Sequence, residues 1–274
     1  MEKKRILYIS QEIVPFSPQT DISSISRKLP QVIQEAGKEI RAFMPRFGTI
    51  NERRHQLHEV IRLSGMNLII NDVDHPLIIK VASVPQAKIQ VYFIDNEDFF
   101  KRKATLQDAN GEYFDDNDER SMFFGRGVLE TVKKLGWKPD VIHCHGWMTA
   151  LVPLYIKKLY NNDPHFADTQ VVYSVYDDAF NKNWDKNFIN KLKFDGFNDE
   201  DLQGLEDVDF VALNKLAIRE SDGVVQGSEE IDGALSAYIS EAGVPNLEYY
   251  SEDSLVKPMD EFYDSIIEEA LVEK

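Results

Sequence analysis

The sequence has a single cysteine, no long apolar run and a deficit of basic residues. Cys144 is the only cysteine among 274 residues, so no disulfide can form within the chain, which fits a reducing compartment. No stretch approaches the ~18 apolar residues of a membrane span. The charged start runs directly into a strand pattern, where a signal peptide would need an apolar stretch. We therefore expect a cytoplasmic protein without a membrane partner.

Basic residues are outnumbered by acidic ones. The chain has 31 Lys and Arg against 47 Asp and Glu, which gives a formal net charge of -16. Such a surface repels nucleic-acid backbones and anionic membranes, so we expect no nucleic-acid partner. The acidic residues concentrate at 108–120, 195–209 and 248–273, and we interpret each group as a solvated face.

No glycine-rich phosphate loop is present. The pattern G-x-G-x-x-G occurs nowhere, and the loop after the first predicted strand, residues 11–24, contains no glycine. A loop that wraps a diphosphate usually needs glycine for close backbone approach and free N–H donors. This absence argues against dinucleotide binding at the first strand, and we predict no cofactor.

The pair His143 and His145 around Cys144 suggests a metal ligand set or a nucleophile at first sight. On a strand, alternation points Cys144 away from both histidines, whereas a closed metal site needs three or four ligands. The other four histidines show no helpful spacing. We therefore predict no metal, and expect a buried strand-end histidine bonded to backbone.

Apolar β-rich runs alternate with helical patterns. This alternation predicts an α/β fold, with a mostly parallel Rossmann-like sheet covered by helices on both faces. Residues 56–95 break the pattern, because three β-rich runs follow one another with no helix between them, which predicts a β-hairpin or meander. In such sheets ligands bind outside the carboxyl ends of the strands. The predicted strands are 5–10, 39–45, 141–145, 169–175 and 222–228, and the clearest predicted helices are 117–135 and 147–160.

The C-terminal tail has the pattern of an amphipathic helix. Pro258 suits a first helical position, and Asp260 with Glu261 suits the positive end of the helix dipole. Apolar residues then recur at i, i+3, i+4 and i+7, so we expect the helix either to pack on the preceding domain or to mediate a homodimer. The predicted stripe is Met259, Phe262, Tyr263, Ile266, Ile267, Ala270 and Leu271.

The chain resembles the N-terminal half of bacterial glycogen synthases and plant starch synthases. Residues 12–25, EIVPFSPQTDISSI, resemble the motif E-x-x-P-F-x-K-x-G-G-L-x-D-V of that family. Residues 138–157, KPDVIHCHGWMTALVPLYIK, resemble P-D-x-x-H-x-H-D-W-H-T-A-L-x-P-x-Y. Further matches, including LAIRESDGVVQGS, occur in order across roughly residues 5–231. The resemblance implies the N-terminal Rossmann-like domain of a GT-B glycosyltransferase.

The departures from the family fall on its functional positions. The phosphate-contacting lysine falls at Pro18, and the two loop glycines fall at Thr20 and Asp21. An aspartate and a histidine of the second motif fall at Gly146 and Met148.

A third motif departs in the same way. The family's T-V-H-N, whose histidine lies against the transferred sugar, falls on residues 174–177, with Tyr176 and Asp177 at its end. We therefore assign no catalytic residue. If a site survives, we predict a carbohydrate groove formed by His145, Trp147, Tyr176 and Trp184.

The resemblance implies a role in α-glucan metabolism and leaves three hypotheses open. The first is a catalytically inactive relative that binds an α-glucan or maltooligosaccharide, binds a protein of glycogen metabolism, or acts as a regulator. The second is an active ADP-glucose- or UDP-glucose-dependent glucosyltransferase completed by a separate C-terminal domain. The third is a structural or interaction protein unrelated to glucan. We predict one synthase-like domain over residues 1–245, then an acidic linker and the docking helix over 246–274, with no second GT-B domain and a monomer or helix-mediated homodimer.

Overall fold

The computed structural model describes residues 3–84, 87 and 89–272, and it is built around one large sheet. In the described residues the strand order is β10-β9-β8-β7-β1-β2-β6-β5-β3, with β4 paired to β5 alone. The strands are β1 (Arg5–Ser10), β2 (Glu39–Pro45), β3 (His58–Glu59), β4 (Met66–Ile70), β5 (Val73–Val84), β6 (Ile89–Asp95), β7 (Val141–His145), β8 (Gln170–Val175), β9 (Gly223–Gln226) and β10 (Asn246–Leu247).

Helices cover the sheet between the strands, as the alternating pattern predicts. The helices are α1 (Asp21–Glu35), α2 (Glu52–His55), α3 (Glu97–Phe100), α4 (Asn117–Leu135), α5 (Leu151–Leu154), α6 (Phe188–Asp195), α7 (Phe210–Arg219), α8 (Gly233–Ala242) and α9 (Val256–Val272). A 3-10 turn at Trp147–Thr149 precedes α5 and a π turn at Tyr155–Leu159 follows it, so the predicted helix at 147–160 exists but changes its winding twice.

The central strands are parallel and mostly buried. β1 pairs in parallel with β2 on one side and with β7 on the other, and β7 continues the parallel pairing to β8. Every residue of β7 is buried. Such near-continuous apolar strands are expected where helices cover both faces of a parallel sheet. The predicted α/β class is confirmed.

The predicted hairpin region is confirmed between β4 and β6. β4 and β5 are antiparallel and are joined by Asn71 and Asp72, which have φ of 50° and 63°. Two successive residues at positive φ match the right-handed strand twist, and Asn and Asp tolerate that conformation best after glycine. β5 then pairs antiparallel with β6 and ends the parallel run of the sheet.

The first helix contains a proline that the sequence predicts as a kink or a late start. α1 begins at Asp21 and runs through Pro30 to Glu35, so the late start is wrong. The helix begins early because Thr20 caps it: the Thr20 hydroxyl accepts from the Ser23 amide, and the Ser23 hydroxyl accepts from the Thr20 amide.

The C-terminal helix packs against α1, β8 and β10. Met259, Phe262, Tyr263, Ile266 and Ile267 are buried. The predicted stripe is wrong in its last turn, where the side chain of Leu271 is 66% exposed. Gly223 permits the close approach, since a Cβ there would lie 2.3 Å from Ile266 Cδ1.

Salt bridges hold the C-terminal segment to the middle of α1 and to the loop that follows it. Lys38 Nζ lies 2.6 Å from Asp260 and 3.1 Å from Asp264 on α9. In the middle of α1, Lys28 Nζ lies 2.6 Å from Asp253. The segment therefore lies across α1 and reaches the carboxyl edge of the sheet. No helix within the described ranges is long and apolar enough to cross a membrane.

Candidate functional site

The carboxyl ends of four central strands meet at one edge of the sheet. β1 ends at Ser10, β7 at His145, β8 at Val175 and β9 at Gln226. The chain order reverses at β1, because β2 lies on one side of it and β7 on the other. This is the switch point at which open α/β sheets bind their ligands. Two cavities of about 250 Å³ each open here.

The first cavity, which we call the histidine cavity, lies over the ends of β7, β8 and β9. His143, His145, Ser174 and Tyr176 come from the strand ends. The start of α1 and the C-terminal segment form the other walls. The remaining lining residues are Gln19, Thr20, Asp21, Ser24, Ile25, Leu29, Val225, Gln226, Gly227, Tyr249, Tyr250, Glu252, Leu255 and Met259.

The two histidines are neutral and are held by side chains. His143 Nδ1 lies 2.6 Å from the Tyr263 hydroxyl and Nε2 lies 2.7 Å from Ser174 Oγ, while His145 Nδ1 lies 2.7 Å from the Tyr176 hydroxyl. Our expectation of backbone partners for the two histidines is therefore wrong. β8, the residue after it and α9 place hydroxyl groups within hydrogen-bond distance of the rings. Burial lowers the pKa of His145 to about 3 and that of His143 well below its ordinary value.

Tyr176 is fixed between a histidine and a glycine. Its ring lies so close to Gly227 that a Cβ at that position would come within 2.4 Å of the ring. Its side chain is buried, and burial raises the pKa of the phenol. The hydroxyl is therefore a neutral hydrogen-bonding group that fixes the His145 ring.

Gly146 leaves room for the side chain of Gln11, the residue after β1. It has φ of 83°, and a Cβ added there would lie 2.5 Å from Gln11. The Gln11 amide oxygen accepts from the Met148 amide at 3.1 Å, and its amide nitrogen donates to Asp178 at 3.3 Å. Asp178 also accepts from the Trp147 amide at 3.2 Å. The start of the helix after β7 is thus capped by the protein's own groups.

Asp178 is a titratable group at this edge that sequence reasoning missed. Burial, together with the nearby Glu12 carboxylate, raises the pKa of Asp178 to about 7. Its Oδ1 is buried with no hydrogen-bond partner among the described residues. The signal was its place just after β8 at the carboxyl edge; its neighbour Asp177 is exposed.

The loop from β1 to α1 is also closed by its own side chains. Glu12 accepts a 2.6 Å hydrogen bond from the Thr20 hydroxyl, and the Pro18 carbonyl accepts one of 2.8 Å from Ser23. Asp21 occupies the first helical turn. The positive end of the α1 dipole therefore faces a carboxylate of the chain itself.

The second cavity, which we call the tryptophan cavity, lies beside the helix that follows β7. Trp147 and Trp184 line it with their ring centroids 6.0 Å apart, and the residues are 1% and 9% exposed. Polar groups stand at the rim, where Lys182 Nζ lies 2.5 Å from Asp115. The other lining residues are Tyr113, Phe114, Asn117, Phe180, Asn183 and Asp185.

A buried lysine fixes the loop that carries Trp184. Lys191 Nζ lies 2.6 Å from Asp118, 2.9 Å from Glu119 and 3.1 Å from Asp185. Burial opposes the charge of Lys191, but these hydrogen bonds outweigh it and raise the pKa of the amine. The cluster ties α4 to α6 and holds the cavity wall in place.

The four predicted groove residues fall into two pairs. His145 and Tyr176 line the histidine cavity, whereas Trp147 and Trp184 line the tryptophan cavity. The geometry therefore offers two separate sites where the sequence suggests one groove. Within residues 3–84, 87 and 89–272, no three His, Cys, Asp or Glu side chains are grouped as a metal ion would require.

Comparison with known proteins identifies the family. The profile of the starch synthase catalytic domain matches residues 5–236. The chain belongs to the starch synthase catalytic domain family. It is 42% identical over 173 residues to a glycogen synthase of Chlorobium limicola, and 37% identical over 202 residues to that of Chlorobaculum tepidum.

The matches to these glycogen synthases are partial. They cover 63% and 70% of this chain, but only 35% and 41% of the relatives' length. The fold also matches the catalytic domain of starch synthase IV from Arabidopsis thaliana bound to ADP and acarbose. That match has a TM-score of 0.74 and 18% identity, and it covers 90% of this chain and 51% of the plant domain.

Several of the positions at which the chain departs from the starch synthase motifs lie at the two cavities. Asp21 and Tyr176 line the histidine cavity. Gly146 adjoins both, because its neighbours His145 and Trp147 line one cavity each. The departures are therefore concentrated at one edge of the sheet, although they are scattered along the sequence.

Proposed function

We propose that this chain is an α-glucan-binding member of the starch synthase family that transfers no glucose. The observation that carries the proposal is the histidine cavity, in which the chain's own groups take the place of the family's charged and catalytic side chains. Glucan binding belongs to the tryptophan cavity, whose lining suits a sugar.

Charge at the histidine cavity opposes a nucleotide diphosphate. The described lining contains Asp21 and Glu252 but neither lysine nor arginine. The family's lysine position is Pro18, which has neither charge nor backbone N–H. At ~5 Å and an effective dielectric near 20, each pair of like charges costs roughly 3 kcal/mol. This cost works against useful affinity for ADP-glucose or UDP-glucose.

Shape opposes the transfer chemistry as well. Tyr176 stands where the family motif has its sugar-facing histidine, and its ring already fills the space over Gly227. At Gly146 the motif's aspartate is missing, and Gln11 occupies the room that such a side chain would need. The Tyr176 hydroxyl is already bonded to His145 and Gly146 has no side chain, so neither replacement leaves a free group for a developing charge on a transferred sugar.

The tryptophan cavity has the mixed character of a sugar site. Tyr113 and Trp184 offer apolar surface, with the buried Trp147 packed against Trp184, while Asn183 and Lys182 place polar groups beside them. Sugar rings have apolar faces and a rim of hydroxyl groups, so both kinds of surface are needed. The chain's relatives are glycogen synthases by name, which gives α-glucan as the sugar class.

Two measurements on the purified chain test the proposal. The first follows glucosyl transfer from ADP-glucose and from UDP-glucose to glycogen, with the Chlorobium limicola glycogen synthase as the positive control. The second is a calorimetric titration with maltoheptaose beside one with ADP-glucose. We expect no transfer above the level without enzyme, saturable binding of maltoheptaose and no binding of ADP-glucose.

The two halves of the proposal fail separately. Glucan elongation above background would overturn the loss of transfer. Absence of saturable maltoheptaose binding would overturn the glucan role.

A further inference from the structure

We propose that the histidine cavity binds a small organic cation that also carries a hydroxyl group, that is, a small amino alcohol. This inference concerns a different cavity from the proposed glucan site and does not depend on it. It rests on the charge, the aromatic groups, one buried nitrogen atom and the size of the cavity.

The charged groups at the cavity mouth have one sign. Asp21 and Glu252 line it, and no lysine or arginine is among its lining residues in the described chain. Glu252 is already paired with Lys28, whose Nζ lies 3.5 Å away. Asp21 is exposed and has no hydrogen-bond or ion-pair partner among residues 3–84, 87 and 89–272. Asp21 is therefore the carboxylate left to face a ligand, and it favours a cation.

Three tyrosines surround the same opening. Tyr176 is buried, whereas Tyr249 and Tyr250 are 39% and 38% exposed. All three line the cavity. The faces of phenol rings attract ammonium groups through the ring quadrupole, most strongly where water is excluded. Rings beside a free carboxylate form the lining by which proteins recognise an organic ammonium group.

One nitrogen atom of a histidine that lines the cavity has no hydrogen-bond partner among the described residues. His145 is 1% exposed, and its Nε2 has no hydrogen-bond partner among the described residues, while Nδ1 bonds to Tyr176. In the neutral ring Nε2 is a donor or an acceptor, depending on which way the Tyr176 hydroxyl points. A ligand hydroxyl can serve either form, because it both donates and accepts.

The size of the cavity limits the ligand. A volume of about 250 Å³ lies below the usual range of roughly 300–1,000 Å³ for small-molecule sites. A ligand of the size of choline or ethanolamine is appropriate.

A series of four probes tests charge and hydroxyl separately by isothermal titration. Choline has both groups, 3,3-dimethylbutan-1-ol is its neutral isostere, tetramethylammonium lacks the hydroxyl, and inorganic phosphate has the opposite charge. We expect saturable choline binding, about tenfold weaker binding of the isostere, several-fold weaker binding of tetramethylammonium and none of phosphate. No saturable choline binding, or equal binding of choline and its isostere, would overturn the proposal.

Two matched substitutions locate the site. Asp21→Asn should weaken choline binding at least about fivefold, because it removes the free carboxylate at constant size. Asp199→Asn is the control. Asp199 is an exposed acid paired with Lys193, and neither residue lines the cavity. If circular dichroism shows that Asp21→Asn alters the fold, choline binding is measured with Tyr250→Leu instead, which removes one of the aromatic rings of the cavity. Choline binding by both cavity variants at wild-type strength would contradict the assignment.

Discussion

We expect Asp178 to make the stability of the protein depend on pH near neutrality. Because burial raises its pKa from 3.8 to about 7, the folded protein retains a proton between pH 4 and 7 that the unfolded chain has released. The stabilisation by this proton is complete below about pH 4 and is lost as the pH rises through 7. Asp178→Asn cannot ionise and keeps an oxygen to accept from the Trp147 amide.

We therefore predict that the unfolding free energy of Asp178→Asn, measured relative to wild type, is about 2 kcal/mol higher at pH 8 than at pH 5. Urea unfolding at both pH values measures this gain. Asp177→Asn, an exposed neighbour, is the control and should show no such trend. A constant difference between Asp178→Asn and wild type across the range would contradict the assignment.

Substitution of Gly146 tests whether Gln11 fills the space at this position, where the family motif has an aspartate. A methyl group there meets both a positive φ of 83° and the Gln11 side chain at 2.5 Å, whereas Gly204 has a φ of 86° with nothing within 4 Å. We expect Gly204→Ala to cost about 1 kcal/mol through backbone strain alone. Gly146→Ala should cost about 1–3 kcal/mol more because of the clash.

Adding Gln11→Ala should recover part of the excess in Gly146→Ala, since the two side chains compete for one space. Chemical denaturation of the single and double variants measures the coupling. Equal costs for Gly146→Ala and Gly204→Ala would show that position 146 is not crowded.

At the residue level, local sequence patterns identified which positions matter but not what surrounds them. His143 and His145 were predicted to share a face, and their rings lie 3.9 Å apart. Their hydrogen-bond partners come from β8 and from residue 263, which is 120 positions away from His143. Alternation along a strand contains no information on such distant partners. The capping role of Asp178 was missed for the same reason.

At the element scale, α9 stabilises the fold through one buried face. Phe262 and Ile266 pack against the sheet at Gly223, while Leu271 and Val272 in the last turn are 66% and 86% exposed. Phe262→Ala and Ile266→Ala should each lower the unfolding free energy by about 2–5 kcal/mol. Leu271→Ala and Val272→Ala on the same helix should change it by less than about 0.5 kcal/mol.

Thermal unfolding with size-exclusion chromatography checks this expectation. If the last-turn variants are the damaging ones, or if they dissociate a dimer, the exposed end of α9 is an interface between copies. Oligomeric state remains a prediction.

Elements with strong periodicity were predicted well. The helix expected at 117–135 is α4 at Asn117–Leu135, and the strand expected at 141–145 is β7 at Val141–His145. α8 and β10 were not predicted, because α8 buries only Leu235 and β10 has only two residues. Without a buried face there is no apolar stripe to detect, so such elements depend on tertiary contacts for their existence.

At the scale of the whole molecule, the fold brings scattered substitutions to one edge and divides them between two cavities. The sequence placed Tyr176 and Trp184 in one predicted groove because both follow strand β8. Between them in the chain, Asp178 accepts from the Trp147 amide and Phe180 packs against the Trp147 ring, and Tyr176 and Trp184 line different cavities. Topology of this kind follows from packing, which the linear motif spacing does not encode.

The two cavities should therefore respond to different ligands and different substitutions. Lys182→Met removes a charge at the rim of the tryptophan cavity and keeps the aliphatic stem, and Lys182 is absent from the lining of the histidine cavity. We predict that it weakens maltoheptaose binding by about three- to tenfold, because a hydrogen bond to a charged group contributes roughly 1 kcal/mol or more. Choline binding should stay unchanged in the same variant.

Asp21→Asn should give the opposite pattern, weak choline binding with normal maltoheptaose binding, because Asp21 lines only the histidine cavity of the two. Titration of both variants with both ligands decides between two sites and one. If maltoheptaose and choline compete, or if either substitution weakens both ligands equally, the cavities act as a single groove. In that case Asp178 and Gln11, which join the two sides through the Trp147 and Met148 amides, would be the residues that couple them.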